Sequence, residues 1–250
     1  MPSGETEQSH SPEAIRKRLE NEPGQSFLKD FIYGAIDGAV TTFAVVASVA
    51  ATGLSSGVVI ILGLANLLAD GFSMAAGNFL GTRAENQSRD RAIRREEQEI
   101  ESYPEGEREE VRQIFASKGF EGEVLEEIVD VITSDKKRWV DTMITEEHGL
   151  SLSTPSAWKA AGVTYLAFIL VGTIPLITFV VEYLMPGTIA DPFWMAAVLT
   201  GVAFFVVGAL KSLFVGKYWV LEGLETLSVG SLAAGIAYII GLLLKPIVNA

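Results

Sequence analysis

The chain has 250 residues, a formal net charge of −12 and no cysteine. The charge argues against nucleic acid as a partner because phosphate binding requires a basic surface, and the lack of cysteine excludes disulfides, thiolate metal sites and thiol catalysis. Hydrophobic residues make up 49% of the chain. They collect in long runs almost free of charge, whereas a soluble α/β protein would alternate short apolar strands with amphipathic helices.

The first segment, residues 1–27, is polar and lacks the apolar core of a signal peptide. A short helix is predicted there from Pro12 to Asn21, begun by Ser11. This segment is expected to lie in the cytoplasm.

Five apolar runs follow, each close to the roughly 20 residues that a helix needs to cross a bilayer. Two fall within residues 28–86 and three within residues 151–250. Pro175 is expected to kink the third span, and small residues such as Gly223 and Gly241 suit the fifth to close helix packing. The predicted spans are Phe31–Gly53, Gly57–Leu80, Ala161–Tyr183, Phe193–Val215 and Gly223–Leu244.

Residues 87–150 form an acidic insert between the second and third spans. Its first helix is predicted to continue the second span until Pro104, its second to end at Gly119 and its fourth at Gly149. The apolar stripe predicted for its third helix consists of Val124, Ile128, Val131 and Ile132. The predicted fold class is all-α: a polytopic membrane protein with five transmembrane helices and a cytoplasmic helical domain between the second and third.

The orientation prediction rests on lysine and arginine in the short loops. These residues precede the first span, follow the second and lie between the fourth and fifth, whereas the loops after the first and third spans carry none. A cytoplasmic N-terminus and an outside C-terminus are therefore expected. The acidic, cysteine-free composition and the lack of a targeting sequence suit a prokaryotic plasma membrane.

Polar residues interrupt the first two apolar runs. Asp37 lies several residues inside the first span, and Asn66, Asp70 and Met74 follow one another at intervals of four in the second, on one helix face. A charge in a span costs at least about 2.5–3.5 kcal/mol, so these residues are expected to face a polar path for a divalent cation. Oxygen ligands alone would suit Mg²⁺ or Ca²⁺, and the thioether favours Fe²⁺, Mn²⁺, Co²⁺ or Zn²⁺.

A structural interpretation of the same residues stays open. Asp37 could cap a helix beside Gly38, and Asn66 could hydrogen-bond a neighbouring helix. Two acids in adjacent spans favour the functional interpretation, because ionisable groups inside a membrane usually serve function.

Acidic pairs recur in the insert. Members of each pair are three residues apart on one helix face, Pro104 and Gly106 permit a turn between the pairs, and a Met and a Glu four apart follow on the last helix. The spacing alone favours a solvated helix face over a metal site. His10 and His148 are interpreted as surface residues. The residues concerned are Glu96, Glu99, Glu107, Glu110, Met143 and Glu147.

The runs GAIDGAVTTFAVVA, GLANLLADGFSM and GLETLSVGSLAAGIAYIIG, together with the acidic insert, resemble the vacuolar iron transporter family from about Asp30 to Leu244. The resemblance implies a homodimer with five spans per subunit that exchanges Fe²⁺, and often Mn²⁺, for protons. It also implies an ion path between the subunits, lined by the first two spans. A lipid bilayer and divalent metal ions are then the partners, and no prosthetic group is expected.

Residue by residue, the resemblance implies that Asp37 and Met74 line the path. The family's second-span glutamate falls at Asn66, and Asp70, one turn on, could supply the missing carboxylate. In the insert, the residues that match the family's metal-binding domain are Glu96, Glu99, Glu107, Glu110, Met143 and Glu147. The family's second methionine falls at Ile144, which cannot bind a metal. This match reverses the interpretation of the insert as a solvated surface.

The leading hypothesis is therefore a secondary transporter that moves Fe²⁺ or Mn²⁺ out of the cytoplasm by proton antiport. No phosphate-binding loop of the GxxxxGK type appears, which argues against direct ATP drive. Two alternatives remain: an intramembrane aspartyl protease with Asp37 and Asp70 as its dyad, and a metal-sensing membrane scaffold without transport.

Overall fold

The computed structural model describes residues 11–20 and 26–248, and within those ranges it contains ten helices and no strand. The end of the first predicted helix, Asn21, lies outside the described residues, as does His10. The helices are α1 (Pro12–Glu20), α2 (Leu28–Thr52), α3 (Ser56–Ser102), α4 (Pro104–Ser117), α5 (Gly122–Thr133), α6 (Lys136–Glu146), α7 (Ala157–Gly172), α8 (Ile174–Leu184), α9 (Pro192–Val215) and α10 (Trp219–Val248).

Four of the described helices, α2, α3, α9 and α10, are long and apolar enough to cross a membrane. Helices α7 and α8 pass the same test together and are bent by 46° at a one-residue break, which would make five spans if the pair counts as one. The break at Thr173 lies two residues before Pro175, whose ring cannot continue the hydrogen-bond ladder. The predicted kink is confirmed.

Helix α2 is the centre of the membrane part and is more enclosed than α3, α9 or α10. It packs against α7 closely because glycines face the neighbouring backbone: a Cβ on Gly34 would overlap Thr164, and one on Gly38 would overlap Phe168. On its other side, Gly241 of α10 leaves room for Ser48 in the same way. These contacts hold α2 in fixed register with α7 and α10.

The insert has a hydrophobic core of its own, built on residues such as Ile100, Val111 and Trp139 from α3, α4 and α6. The three helix ends predicted for the insert are close to those observed, because α3, α4 and α6 stop shortly before Pro104, Gly119 and Gly149. The predicted stripe on α5 is wrong in part, because Val124 and Val131 are each 56% exposed. The face that packs inward consists of Leu125, Val129 and Ile132.

The insert is joined to the membrane part by the continuous helix α3 and by a buried arginine. The guanidinium of Arg89 donates hydrogen bonds to the carbonyl oxygen of Ser153 and to Thr154 Oγ1, the latter at 3.0 Å. Asn86 Nδ2 donates to the carbonyl oxygen of Pro155 at 2.9 Å. Since the segment 151–155 leads into α7, these bonds tie α3 to the return of the chain toward the membrane.

Candidate metal site and ion path

One helix carries residues of both the candidate ion path in the membrane part and the candidate metal site in the insert. Helix α3 places Asn66, Asp70 and Met74 on its membrane segment and Glu96 and Glu99 on its extension into the insert. At 1.5 Å per residue, the 26 residues from Asp70 to Glu96 span roughly 39 Å. Any ion that reached both groups would travel along this helix.

In the membrane part, α2 and α3 bring two carboxylates together. Asp37 and Asp70 are both partly buried and are close enough for their charges to interact. One turn from Asp70, Asn66 is partly buried, and within the described part of the chain its Nδ2 atom has no hydrogen-bond partner. Two acids whose charges interact inside a membrane segment would be neutralised by a dehydrating cation or by protons.

A cavity of about 1160 Å³ opens beside Met74 and is called the vestibule here. Met74 and Ser73 of α3 line its membrane end, and Thr145 of α6 with Ser151 and Ser153 lines the side of the insert. Its wall also carries acidic side chains and a lysine: Asp30, Glu85 and Lys29. The vestibule therefore joins the insert to the membrane helices.

A hydrogen-bonded group in the vestibule was missed by the sequence analysis. Asn78 Nδ2 donates to Asp30 Oδ1 and to Thr164 Oγ1, both at 2.7 Å, and so links α3 to α2 and α7. The signal was present, because Asn78 continues the four-residue series of Asn66, Asp70 and Met74 by one more turn.

In the insert, three metal-ligating side chains converge. Glu96, Glu147 and His148 offer donor atoms that all lie within 4.8 Å of one another. His148 Nε2 lies 2.9 Å from Glu96 Oε1, and the His148 side chain is only 26% exposed. The interpretation of His148 as a surface residue is wrong in part, because the turn after α6 folds its ring back onto Glu96 of α3 and half-buries it.

The other glutamates of the insert surround this cluster. Burial raises the pKa of Glu107 to about 7, with the charges of Glu110, Glu96 and Glu99 adding to the effect. Burial likewise raises the pKa of Glu96, against the hydrogen bond from His148, and raises the pKa of Glu110. Crowded carboxylates with raised pKa values are stabilised by a bound cation, which removes their mutual repulsion.

The cluster is buried on one side and open to solvent on the other. Glu96 and Glu107 are 1% and 7% exposed, and each has a buried Oε2 atom to which no described residue is hydrogen-bonded. Glu110 and Glu147 are exposed, and Glu99 is ion-paired with Arg95 at 3.0 Å. A cation could enter from solvent and complete the coordination of the buried oxygens.

The two hydrophobic positions named for this site are both buried. Met143 and Ile144 are 0% exposed and belong to the insert core with Ile100, Val111 and Val140. The structure brings the acidic residues within range of one another's charges and buries Met143 in the insert core.

Comparison with known proteins decides the family. A sequence model described as the VIT family matches residues 28–242, which is most of the chain. The chain belongs to the VIT family. Members of the VIT family are transporters and not enzymes, so the protease alternative loses its support.

Curated relatives agree with the VIT family match. A vacuolar iron transporter of Toxoplasma gondii is 35% identical over 90% of this chain and 76% of its own length. Vacuolar iron transporter 1 of Arabidopsis thaliana is 30% identical over 84% of this chain and 83% of its own. A vacuolar iron transporter of Plasmodium berghei is 29% identical over 87% of this chain and 82% of its own.

Proposed function

We propose that this chain is a secondary transporter that moves a divalent metal ion, Fe²⁺ and also Mn²⁺, out of the cytoplasm in exchange for protons. The observation that carries the proposal is the vestibule of about 1160 Å³, which connects the insert to Met74 in the membrane part. Membership of the VIT family and relatives named as vacuolar iron transporters support metal transport.

The insert is the collecting site in this proposal. Its exposed glutamates attract cations from the cytoplasm, and the unpartnered carboxylate oxygens of Glu96 and Glu107 bind them. Because a bound cation replaces a proton on these crowded acids, binding is reversible near neutral pH. The ion then passes through the vestibule, where Asp30 and Glu85 provide further oxygen ligands.

The membrane step occurs at Asp37 and Asp70. Two interacting carboxylates can be neutralised by one divalent cation or by two protons. An unneutralised charge inside a membrane is costly, so the site takes up protons when the metal leaves. Proton antiport requires that the same site release the metal ion and take up protons in its place.

The donor set supports a transition metal over Mg²⁺ or Ca²⁺. Carboxylate oxygens bind all of these ions, whereas a thioether at Met74 favours softer ones. Fe²⁺, Mn²⁺, Co²⁺ and Zn²⁺ all fit such a set. The relatives are named as iron transporters, which supports iron among them.

The ion path requires a second subunit. Helix α3 buries only a narrow stripe at positions such as Gly63 and Leu67, while Leu64, Leu68 and Phe72 are exposed beside Asp70. Lipid cannot solvate a carboxylate at this position, whereas a second copy of the chain could enclose it. We therefore propose a homodimer with α3 at the interface.

The orientation remains the one predicted from the positive loops, with the N-terminus and the insert in the cytoplasm and the C-terminus outside. The relatives are eukaryotic proteins named as vacuolar, so they give no support to a prokaryotic plasma membrane. That localisation stays a prediction from composition.

The test is metal uptake by proteoliposomes under an imposed proton gradient, with Fe²⁺, Mn²⁺, Co²⁺ and Zn²⁺ compared. The wild type is expected to transport Fe²⁺ and to move protons in the opposite direction, and Asp37→Asn is expected to abolish both. Asp90→Asn, an exposed aspartate on the extension of α3, is the matched control.

Two outcomes contradict the proposal. Equal transport by Asp37→Asn and wild type would show that the membrane carboxylates do not carry the ion. Metal binding by the insert without any flux would support the metal-sensing scaffold instead, because the insert has the separate core that a sensor needs.

A further inference from the structure

His148 is held in place by the end of helix α6. Its backbone N–H donates to the carbonyl oxygen of Met143 at 3.2 Å, and the N–H of Leu150 donates to that of Ile144 at 2.9 Å. Between them, Gly149 has φ +63°, a left-handed conformation that few other residues adopt. This helix end turns the His148 ring toward α3.

The ring meets a carboxylate that is otherwise incompletely bonded. His148 Nε2 lies 2.9 Å from Glu96 Oε1 and 3.9 Å from Glu147 Oε2. The Glu96 side chain is 2% exposed, yet its second oxygen, Oε2, has no hydrogen-bond partner among the residues that the structure describes. A buried carboxylate that uses one oxygen for an imidazole has its second oxygen available to bind a cation.

The geometry points to His148 as a nitrogen ligand of the insert metal site, together with carboxylate oxygens of Glu96 and Glu147. This inference rests on the proposed collecting role of the insert and adds a ligand to it. Donors bound to one ion at about 2.1 Å lie roughly 3–4 Å apart. The three donor atoms here lie within 4.8 Å of one another, so small side-chain rotations suffice.

The chemistry of the ligand has a consequence for metal choice. An imidazole binds Zn²⁺, Co²⁺ and Fe²⁺ more strongly than Mn²⁺, and it has little affinity for Mg²⁺ or Ca²⁺. Ile144 stands where the resemblance implied a thioether. We infer that the imidazole of His148 supplies the softer donor that Ile144 cannot provide.

The experiment uses the composition of the chain, which has only two histidines. Full-length protein without a polyhistidine tag, carrying His10→Gln, is loaded with one equivalent of Mn²⁺ and studied by pulsed electron paramagnetic resonance. Modulation from an imidazole ¹⁴N is expected, and it must then come from His148. His148→Gln, which can still hydrogen-bond Glu96, is expected to remove that modulation.

A second readout is metal affinity measured by calorimetry on the same proteins. His148→Gln is expected to weaken Zn²⁺ binding by roughly 10–100-fold and to weaken Mn²⁺ binding less, because a nitrogen ligand adds more to the affinity for Zn²⁺ than to that for Mn²⁺. His10→Gln should bind both metals as the wild type does.

The outcomes separate this inference from the proposed function. Mn²⁺ bound in a Glu96-dependent manner but without ¹⁴N modulation would overturn the role of His148 and leave the collecting site intact. No difference in metal binding between Glu96→Gln and wild type would overturn the collecting site itself. Loss of flux with normal ¹⁴N modulation would contradict the transport mechanism alone.

Discussion

The side-chain amide of Asn78 donates a hydrogen bond of 2.7 Å to Asp30 Oδ1 and another of 2.7 Å to Thr164 Oγ1. Asn78 belongs to α3, Asp30 to α2 and Thr164 to α7, so one amide joins three helices at the vestibule. Thr164 in turn donates to the backbone carbonyl oxygen of Asp30 at 3.3 Å. The group fixes the cavity wall and holds the Asp30 carboxylate at the vestibule.

Replacement of Asn78 by alanine should destabilise the protein. The variant leaves the Asp30 carboxylate and the Thr164 hydroxyl without their shared donor, at a cost of about 1–3 kcal/mol. The measurement is the unfolding midpoint of the purified protein in detergent. Gln98→Ala, at an exposed position of the same helix, is the control and should unfold as the wild type does. An unchanged midpoint for Asn78→Ala would mean that this group adds no stability.

A methyl group at Gly38 should disrupt the contact between α2 and α7. The added Cβ would overlap the backbone of Phe168, which cannot move without displacing the helix, so a loss of about 1–3 kcal/mol or more is expected. Gly162→Ala, at an exposed position of α7 where no described atom lies near the added Cβ, should be neutral or slightly stabilising. Unfolding midpoints of both variants provide the comparison, and equal midpoints would argue against the close helix contact.

Glu107→Gln should stabilise the metal-free insert at alkaline pH. The folded pKa of Glu107, about 7, lies above its ordinary value of 4.5. As pH rises, Glu107 therefore ionises in the unfolded chain before it ionises in the folded one. Between these two pKa values the free energy of unfolding falls by up to about 3 kcal/mol. The variant avoids this loss, so its advantage is largest near pH 8 and small near pH 5.

Tryptophan fluorescence can follow that effect in the presence of a chelator. Of the four tryptophans, Trp139 lies in the insert core and is 8% exposed, whereas the others are more than half exposed. Glu105→Gln, an exposed glutamate in the same first turn of α4, is the control and should show no such pH dependence. A constant difference between Glu107→Gln and wild type at all pH values would refute a titration of Glu107.

Ile144→Met tests the position where the resemblance implied a methionine. Ile144 is 0% exposed in the insert core, and a swap of similar volume should cost less than about 1.5 kcal/mol. If the thioether reaches the metal, affinity for Fe²⁺ and Co²⁺ rises relative to Mn²⁺. Ile132→Met, elsewhere in the same core, controls for the flexibility that a methionine side chain adds to the core. Equal metal preference in both variants and the wild type would exclude position 144 from the site.

Local signals in the chain predicted most of the helices correctly. Pro104 begins α4 after the break at Tyr103, and Gly119 and Gly149 follow helix ends with positive φ, as their residue types indicated. The prediction of the apolar stripe on α5 was less accurate, because Val124 and Val131 are as apolar as the residues that pack inward. Only the position of α4 and α6 decides which side of an apolar helix is covered.

The sequence by itself determined the membrane class, the long apolar runs and the acidic residues, because hydropathy and helical spacing act within a single segment. It also placed Asn66, Asp70 and Met74 on one helix face. Tertiary structure alone decided that Asp37 lies within electrostatic range of Asp70, that Asn78 binds Asp30, and that His148 contacts Glu96 across 52 residues of chain. Those pairings depend on how helices cross and turn, and no local pattern encodes the direction in which a side chain finally points.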